Sequence, residues 1–267
     1  MGKQKREIPV FELPLIETHC HLDYLKENEL EVTLEECRRV NIEKIITISV
    51  APENLDTVRD IVTNHPQVFG TQGIHPHEAK LWTSEVKEKI LKNSEDEKIV
   101  AIGEIGLDFY YNNSPKEKQI EVFREQLQMA ASLNKPVVIH SREADTETID
   151  MLEAYSGPLK KKGVIHSFTS GPELAKKALE LGFYLGFNGI ITFKSAENVR
   201  QIVELCPLEK MILETDSPFL TPVPFRGREN APFYLPFVAE KIAEIKNVPL
   251  EDVLKITYQN SLNLFFS

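Results

Sequence analysis

The strongest constraint on the fold of this 267-residue chain is a repeated alternation along its length. Short apolar, β-branched runs recur at Leu15–Thr18, Lys44–Val50, Val68–Gly73, Ile99–Gly103, Pro136–Ile139, Gly163–Ile165, Phe183–Phe187 and Met211–Leu213. Each breaks into a polar or Gly/Pro-marked segment. Between them lie stretches of helical periodicity. In Lys116–Leu133, Ile120, Phe123, Leu127 and Ala130 or Ala131 mark one face, and Pro172–Leu181, Ala196–Leu205 and Pro236–Ile245 read similarly. Eight such runs alternating with helices predict parallel βαβ units. Runs that are apolar throughout predict strands buried on both faces. The expected fold class is α/β, a closed (β/α)8 barrel forming a single domain over residues 1–267, with 1–12 as a loose lead-in. An open doubly wound sheet is the competing arrangement.

Composition narrows the class of protein. At 42% hydrophobic and 27% charged, the chain can bury a sizeable core, which excludes a disordered protein. No stretch approaches the roughly 20 apolar residues of a membrane span, so no membrane partner is expected. Met1–Val10 is basic and lacks an apolar h-region, and it reads as a lead-in rather than a signal peptide. Three scattered cysteines, Cys20, Cys37 and Cys206, do not make a disulfide framework, and a cytoplasmic location is expected. The net charge of −10 argues against a broad basic surface that coats duplex DNA. It is compatible with a site that grips one or two phosphates beside metal ions.

The chemistry gathers at the ends of the apolar runs. The first continues into Glu17-Thr18-His19-Cys20-His21, and residues two apart on a strand face the same side. His19 and His21 can therefore share one site as metal ligands, or be an ordinary hydrogen-bonded strand pair. Four further runs decide between these. The fourth leads into Glu104, the fifth ends at His140, the sixth at His166 and the eighth at Glu214-Thr215-Asp216. Core packing gives no reason for ionisable residues to recur at that end of so many strands, whereas barrel enzymes build active sites there. Four histidines and two carboxylates exceed the needs of one tetrahedral ion, and a shared carboxylate can bridge two. The expected activity is hydrolysis with metal-activated water, with phosphoesters the favoured class.

With these motifs in place, the chain resembles the TatD family of metal-dependent deoxyribonucleases from His19 to Phe265. The motifs are ETHCHLD (Glu17–Asp23), GIHPH (Gly73–His77), AIGEIGLD (Ala101–Asp108), PVVIHSR (Pro136–Arg142), HSFTSG (His166–Gly171) and LETDSPFLTP (Leu213–Pro222). Their joint occurrence in order is specific. The resemblance implies a TIM barrel that cleaves DNA phosphodiesters, often from a 3′ end, as a 3′–5′ exodeoxyribonuclease. It implies two divalent ions, Mg²⁺ foremost and Mn²⁺ or Zn²⁺ as alternatives. His19, His21 and Asp216 would hold one, His140 and His166 the second, and Glu104 would bridge them. Asp216, with Glu104, would orient or deprotonate the attacking water. The expected partner is DNA with single-stranded or frayed 3′ ends. Four positions depart from the family pattern: Glu17 in place of Asp, Ser167 in place of Cys, Ser170 displacing the glycine to Gly171, and Ala231 in place of Glu.

Other residues are candidates with competing structural roles. The family pattern turns His75 toward the site as a phosphate contact or proton donor, against a turn histidine; His77 is more evenly divided. Arg142 is read either as a phosphate clamp or as half of a salt bridge. Lys194 and Arg226 are phosphate candidates weighed against solvated side chains. Tyr110 and Tyr111 are read as base-stacking residues or packing, and Trp82 as packing. Two other functions compete: an esterase or deacylase acting on a small molecule or an aminoacyl-tRNA, and a catalytically weak scaffold. Loss of a ligand would mark the scaffold, and all six are present.

Overall fold

Each apolar run becomes a strand in the computed structural model, which describes residues 6–267. The strands are β1 (Leu15–Cys20), β2 (Ile42–Thr47), β3 (Val68–Gln72), β4 (Ile99–Asp108), β5 (Val137–Arg142), β6 (Gly163–Ile165), β7 (Tyr184–Phe187) and β8 (Met211–Leu213). They lie in sequence order in one eight-stranded sheet, every adjacent pair parallel. The sheet comes round on itself beyond β8. Asp216 N donates to His19 O at 2.8 Å and His21 N to Ser217 O at 2.8 Å, with a parallel bridge at Cys20 and Ser217. This is the (β/α)8 barrel rather than the open sheet.

The α-helices among the described residues are α1 (Leu30–Arg39), α2 (Leu55–Asn64), α3 (Ser84–Asn93), α4 (Lys116–Leu133), α5 (Asp145–Tyr155), α6 (Pro172–Glu180), α7 (Glu197–Leu205), α8 (Leu235–Lys246) and α9 (Leu250–Phe265). Their ends follow local chemistry. Pro172 opens α6 at a position where the missing N–H costs nothing. Asn134 and Asn247 stop α4 and α8 in the left-handed conformation that asparagine tolerates. The largest apolar cluster lies between strands and helices. A second joins Ile46, Ile48, Val100, Val138, Val164 and Ile212 to Leu264 and Phe265 of α9. That cluster fills the bore from one end and leaves polar strand residues for the other.

Two expectations need adjustment. β4 does not end at Gly103 but runs to Asp108, with an irregular register between Ile102 and Ile105. Glu104 therefore sits inside a strand, and so does His140, because β4 and β5 stay paired to Asp108 and Arg142. Gly106 allows this extension: a Cβ there would lie 2.0 Å from His140 O, and its φ is +138°. The lead-in has no regular structure over the described residues 6–12, but it is not loose. Ile8 and Phe11 pack against the core, and Asn41 Nδ2 donates to Phe11 O and Glu12 O at 3.2 and 3.0 Å. Residues 1–5 lie outside the described residues. No helix among the described residues is long and apolar enough to cross a membrane.

Candidate metal centre

The bore opposite α9 receives His19 from β1, Glu104 from β4 and His140 from β5. His21, His166 and Asp216 come from the turns directly after β1, β6 and β8. All six expected ligands meet, with Glu104 in the middle. Glu104 Oε1 lies 2.8 Å from His166 Nε2, 3.0 Å from His140 Nδ1 and 3.4 Å from His75 Nε2. Its other oxygen, Oε2, lies 3.4 Å from His19 Nε2. Asp216 Oδ1 closes that side, 3.6 Å from His21 Nε2 and 3.8 Å from His19 Nε2. The two oxygens of one carboxylate thus divide the histidines into two groups.

The donor set suits cations. His19 and His166 stack at 3.8 Å, each with its Nδ1 buried and without a hydrogen-bond partner, while their Nε2 atoms face the Glu104 and Asp216 carboxylates. Buried polar atoms are normally satisfied, so ring nitrogens that are unpaired or aimed at shared carboxylates suit a bound cation. His21 sharpens the point through its tautomer. Its Nδ1 lies 3.3 Å from the carbonyl of Ile48 and must carry the proton there. In the neutral ring the Nε2 lone pair then faces the Asp216 carboxylate at 3.6 Å, a place for a cation; against its burial, Asp216 raises the ring by favouring a proton there. His75 is arranged the opposite way. Its Nδ1 accepts the His77 backbone N–H at 3.1 Å, so the neutral ring presents Nε2–H to Glu104. His75 is built as a donor rather than a ligand.

The electrostatics agree. Burial alone would lower His166, but Glu104, Glu214 and Asp216 outweigh it and push the ring up to about 10. Burial, followed by the His166 charge, lowers His19 to about 4. Burial also lowers His75 to about 4 against the pull of Glu104, which keeps it neutral. Glu104 stays ionised well below the usual carboxylate range, since the surrounding histidines overcome its burial. A proton on His166 thus occupies part of the role a divalent ion would take.

Supporting residues hold these ligands in place. Asp108 Oδ2 accepts from His140 Nε2 at 3.1 Å and from His77 Nε2 at 2.9 Å, while Oδ1 accepts the backbone N–H groups of Tyr110 and Tyr111. This fixes His140 with Nδ1 free to face Glu104. Asp108→Asn is expected to cost about 10- to 100-fold in metal affinity or activity with the fold retained. Metal titration by calorimetry with a circular-dichroism control checks this; affinity within twofold of the parent would show that Asp108 does not set the ring. Asn230, fully buried, donates through Nδ2 to Thr215 O at 2.9 Å and Phe219 O at 2.5 Å, clamping the turn that carries Asp216 at φ +58°.

The structure shows where three of the four departures sit. Glu17 Oε1 accepts the His19 and Thr215 N–H groups at 2.9 and 3.0 Å, tying β1 to the turn after β8. Ser167 Oγ accepts from Asn188 Nδ2 at 2.9 Å, and its N–H bonds Glu214 at 2.5 Å. Ala231 is buried. Nothing in the structure explains the displaced glycine.

The centre floors a cavity of about 820 Å³, lined among others by His75, His77, Tyr111, Arg142 and Phe219. Arg142 makes no ion pair with the described residues; its guanidinium lies 4.2 and 4.7 Å from the ring centres of Tyr110 and Tyr111. Lys194 is exposed and outside this lining, because the chain turns through residues 189–192 after β7 before reaching it. Arg226 also lies outside the lining, 3.6 Å from the Phe193 ring. Trp82 packs in the core. His65 bonds Ile61 O and Glu31 at the end of α2.

The chain matches the family model for TatD-related DNases over residues 16–266. The metal-dependent hydrolase YabD of Bacillus subtilis is 36% identical over 252 residues, covering 94% of this chain and 98% of the relative. The metal-dependent hydrolase YcfH of Escherichia coli is 35% identical, covering 94% and 95%. Among solved structures, YjjV, a TatD homologue from Escherichia coli, superposes with a TM-score of 0.89 at 28% identity, covering 95% of this chain and 98% of that one. A barrel of this topology, buried histidine–carboxylate clusters at its open end and a match over nearly the whole length lead to one assignment: the chain belongs to the TatD family of metal-dependent hydrolases.

Proposed function

We propose that this protein is a divalent-metal-dependent deoxyribonuclease that removes nucleotides from single-stranded or frayed 3′ ends. The observation that carries the reading is the split Glu104 carboxylate, one oxygen facing His140 and His166 and the other His19. In this reading His19, His21 and Asp216 would hold one ion, His140 and His166 would hold the other, and Glu104 would serve both. Mg²⁺ is the favoured ion, with Mn²⁺ and Zn²⁺ as alternatives. Such a pair of ions, when bound, supplies a lowered water pKa and positive charge for the attacking and leaving oxygens.

The chain's own groups do the rest. Asp216 stays ionised because His21, His166 and His19 outweigh its burial, so its carboxylate can accept a proton from the attacking water. Glu104 orients that water from the other side. His75 Nε2–H is positioned to donate to a phosphate oxygen, and the Arg142 fork adds a second phosphate contact. Tyr111 at the cavity rim offers a stacking face to an unpaired base. The three buried, unpaired cysteines suit a cytoplasmic protein.

The test is release of nucleotides from 3′-labelled single- and double-stranded DNA in Mg²⁺, Mn²⁺, Zn²⁺ or EDTA. Release should begin at the 3′ end, be faster from single strands and stop in EDTA. Cleavage that persists in EDTA would sink the metal mechanism. An inert DNA substrate beside active ester or aminoacyl-tRNA hydrolysis would move the same centre to carbonyl chemistry.

A further inference from the structure

Among the described residues, three Phe, Tyr or Trp side chains are more than half exposed: Tyr110 (54%), Tyr111 (53%) and Phe219 (52%). All three lie at the open end of the barrel. Tyr110 and Tyr111 follow β4, and Phe219 lies in the turn after β8. In a sheet ordered β1 to β8 and closed on itself, these two loops stand across the axis from each other. Tyr111 and Phe219 line the same cavity from its two sides.

Phe219 is not a side chain left over from packing. Its backbone is fixed on three sides. Its N–H donates to Asp216 O at 2.9 Å, and its carbonyl accepts Asn230 Nδ2. The next residue, Leu220, is held at φ +59°, its carbonyl so close to Gly189 that a Cβ there would lie 2.0 Å away. The turn holds the ring toward water beside His21, with ring centres 6.2 Å apart. Leaving a large apolar face exposed costs hydrophobic stabilisation, and a rigid exposed ring next to a reactive centre is a recognition feature.

We propose that Phe219 is a stacking platform for the nucleobase of the nucleotide being removed, facing the Tyr110–Tyr111–Arg142 side, which takes the neighbouring unpaired base. The assignment rests on the nucleic-acid reading above for the identity of the ligand. A flat π-face suits it because every base offers one, and only an unpaired, splayed base can reach it. The enzyme would then require a base, not only a phosphodiester, and would tolerate all four.

The experiment is equilibrium binding of two short single strands by the full chain in EDTA, which prevents cleavage. One strand carries fluorescent 2-aminopurine at its 3′ end; the other is the same strand ending in an abasic residue. The parent should bind the first more tightly and quench it. Phe219→Ala should weaken that binding by about 5- to 100-fold, lose the quenching and leave the abasic strand unchanged, while Phe219→Trp restores both. Unchanged melting temperatures confirm intact folding of this exposed position. Equal binding of the two strands by the parent, no dependence on Phe219, or no binding of either strand would each overturn the platform. A parent that stacks the base but cleaves no DNA with metal present would reject the nuclease reading alone, whereas cleavage without Phe219-dependent binding would reject the platform alone.

Discussion

Glu104→Gln is expected to lower nucleotide release on the order of 10³-fold, the largest loss of any conservative change in this protein. The substitution keeps the volume and removes the one negative charge that both histidine groups share. Glu104 is nearly fully buried, and its two oxygens face His140, His166, His75 and His19 within 3.4 Å. An amide cannot balance cations on both sides, and its NH₂ would direct hydrogens at rings that need an acceptor. The loss should exceed that of Asp108→Asn, which acts only by orienting His140. The histidines should also lose their shared counter-charge, so the His166 proton, held up to about 10 chiefly against burial by Glu104, should dissociate at lower pH. Steady-state release from 3′-labelled DNA measures the first effect, and histidine proton resonances followed through a pH titration measure the second. Activity within tenfold of the parent would remove Glu104 from the centre of the mechanism.

Saturating Mg²⁺ or Mn²⁺ is expected to raise the melting temperature by about 5–10 °C, and EDTA should reverse the change. A ligand at about 100 times its dissociation constant stabilises the folded state by about 2.7 kcal/mol, and in a chain of this size each kcal/mol moves the midpoint by roughly 2–4 °C. The expectation rests on the His19 and His166 ring nitrogens that converge with Glu104 and Asp216 on one buried site. The sign of its pH dependence follows from His166. A ring with its pKa pushed up to about 10 is protonated at neutral pH and must release that proton when an ion binds, so the shift should shrink as pH falls. Glu104→Gln and His19→Ala should lose most of it. Melting curves that coincide with and without metal, across pH 6–9 in scanning calorimetry, would show that the cluster holds no ion.

How much was legible beforehand differs between elements. The strands were readable because burial on both faces writes them as unbroken apolar runs, and their starts at Val68, Ile99, Gly163 and Met211 match the structure. The end of β4 was not readable. Gly103 and Gly106 look like breakers in sequence, but in the barrel they allow close backbone approach to β5, so pairing continues to Asp108. The six expected ligands converge, since a closed parallel barrel brings all strand ends to one mouth whatever lies between them. Lys194 lies outside the cavity lining because it is placed by a turn after β7, where sequence distance from the strand says little about direction.

The sequence by itself determined the architecture and the residue types at the centre: eight runs, their alternation with helices, and histidines and acids at their ends. Periodicity and burial are local properties that each segment carries in its own composition. Only the tertiary structure decided what each histidine can do. His21 and His75 are the same residue type facing carboxylates of one centre, Asp216 and Glu104, yet the Ile48 carbonyl leaves the neutral His21 ring a lone pair for an ion, while the His77 amide leaves His75 a proton to give. Those partners lie 27 residues away in one case and two in the other, and ring protonation is set by which backbone group the fold brings to the far nitrogen. The Glu104 carboxylate shared with His19 and the placement of Phe219 beside His21 are likewise products of the closed barrel, because each joins the β1 end to a segment far from it in sequence.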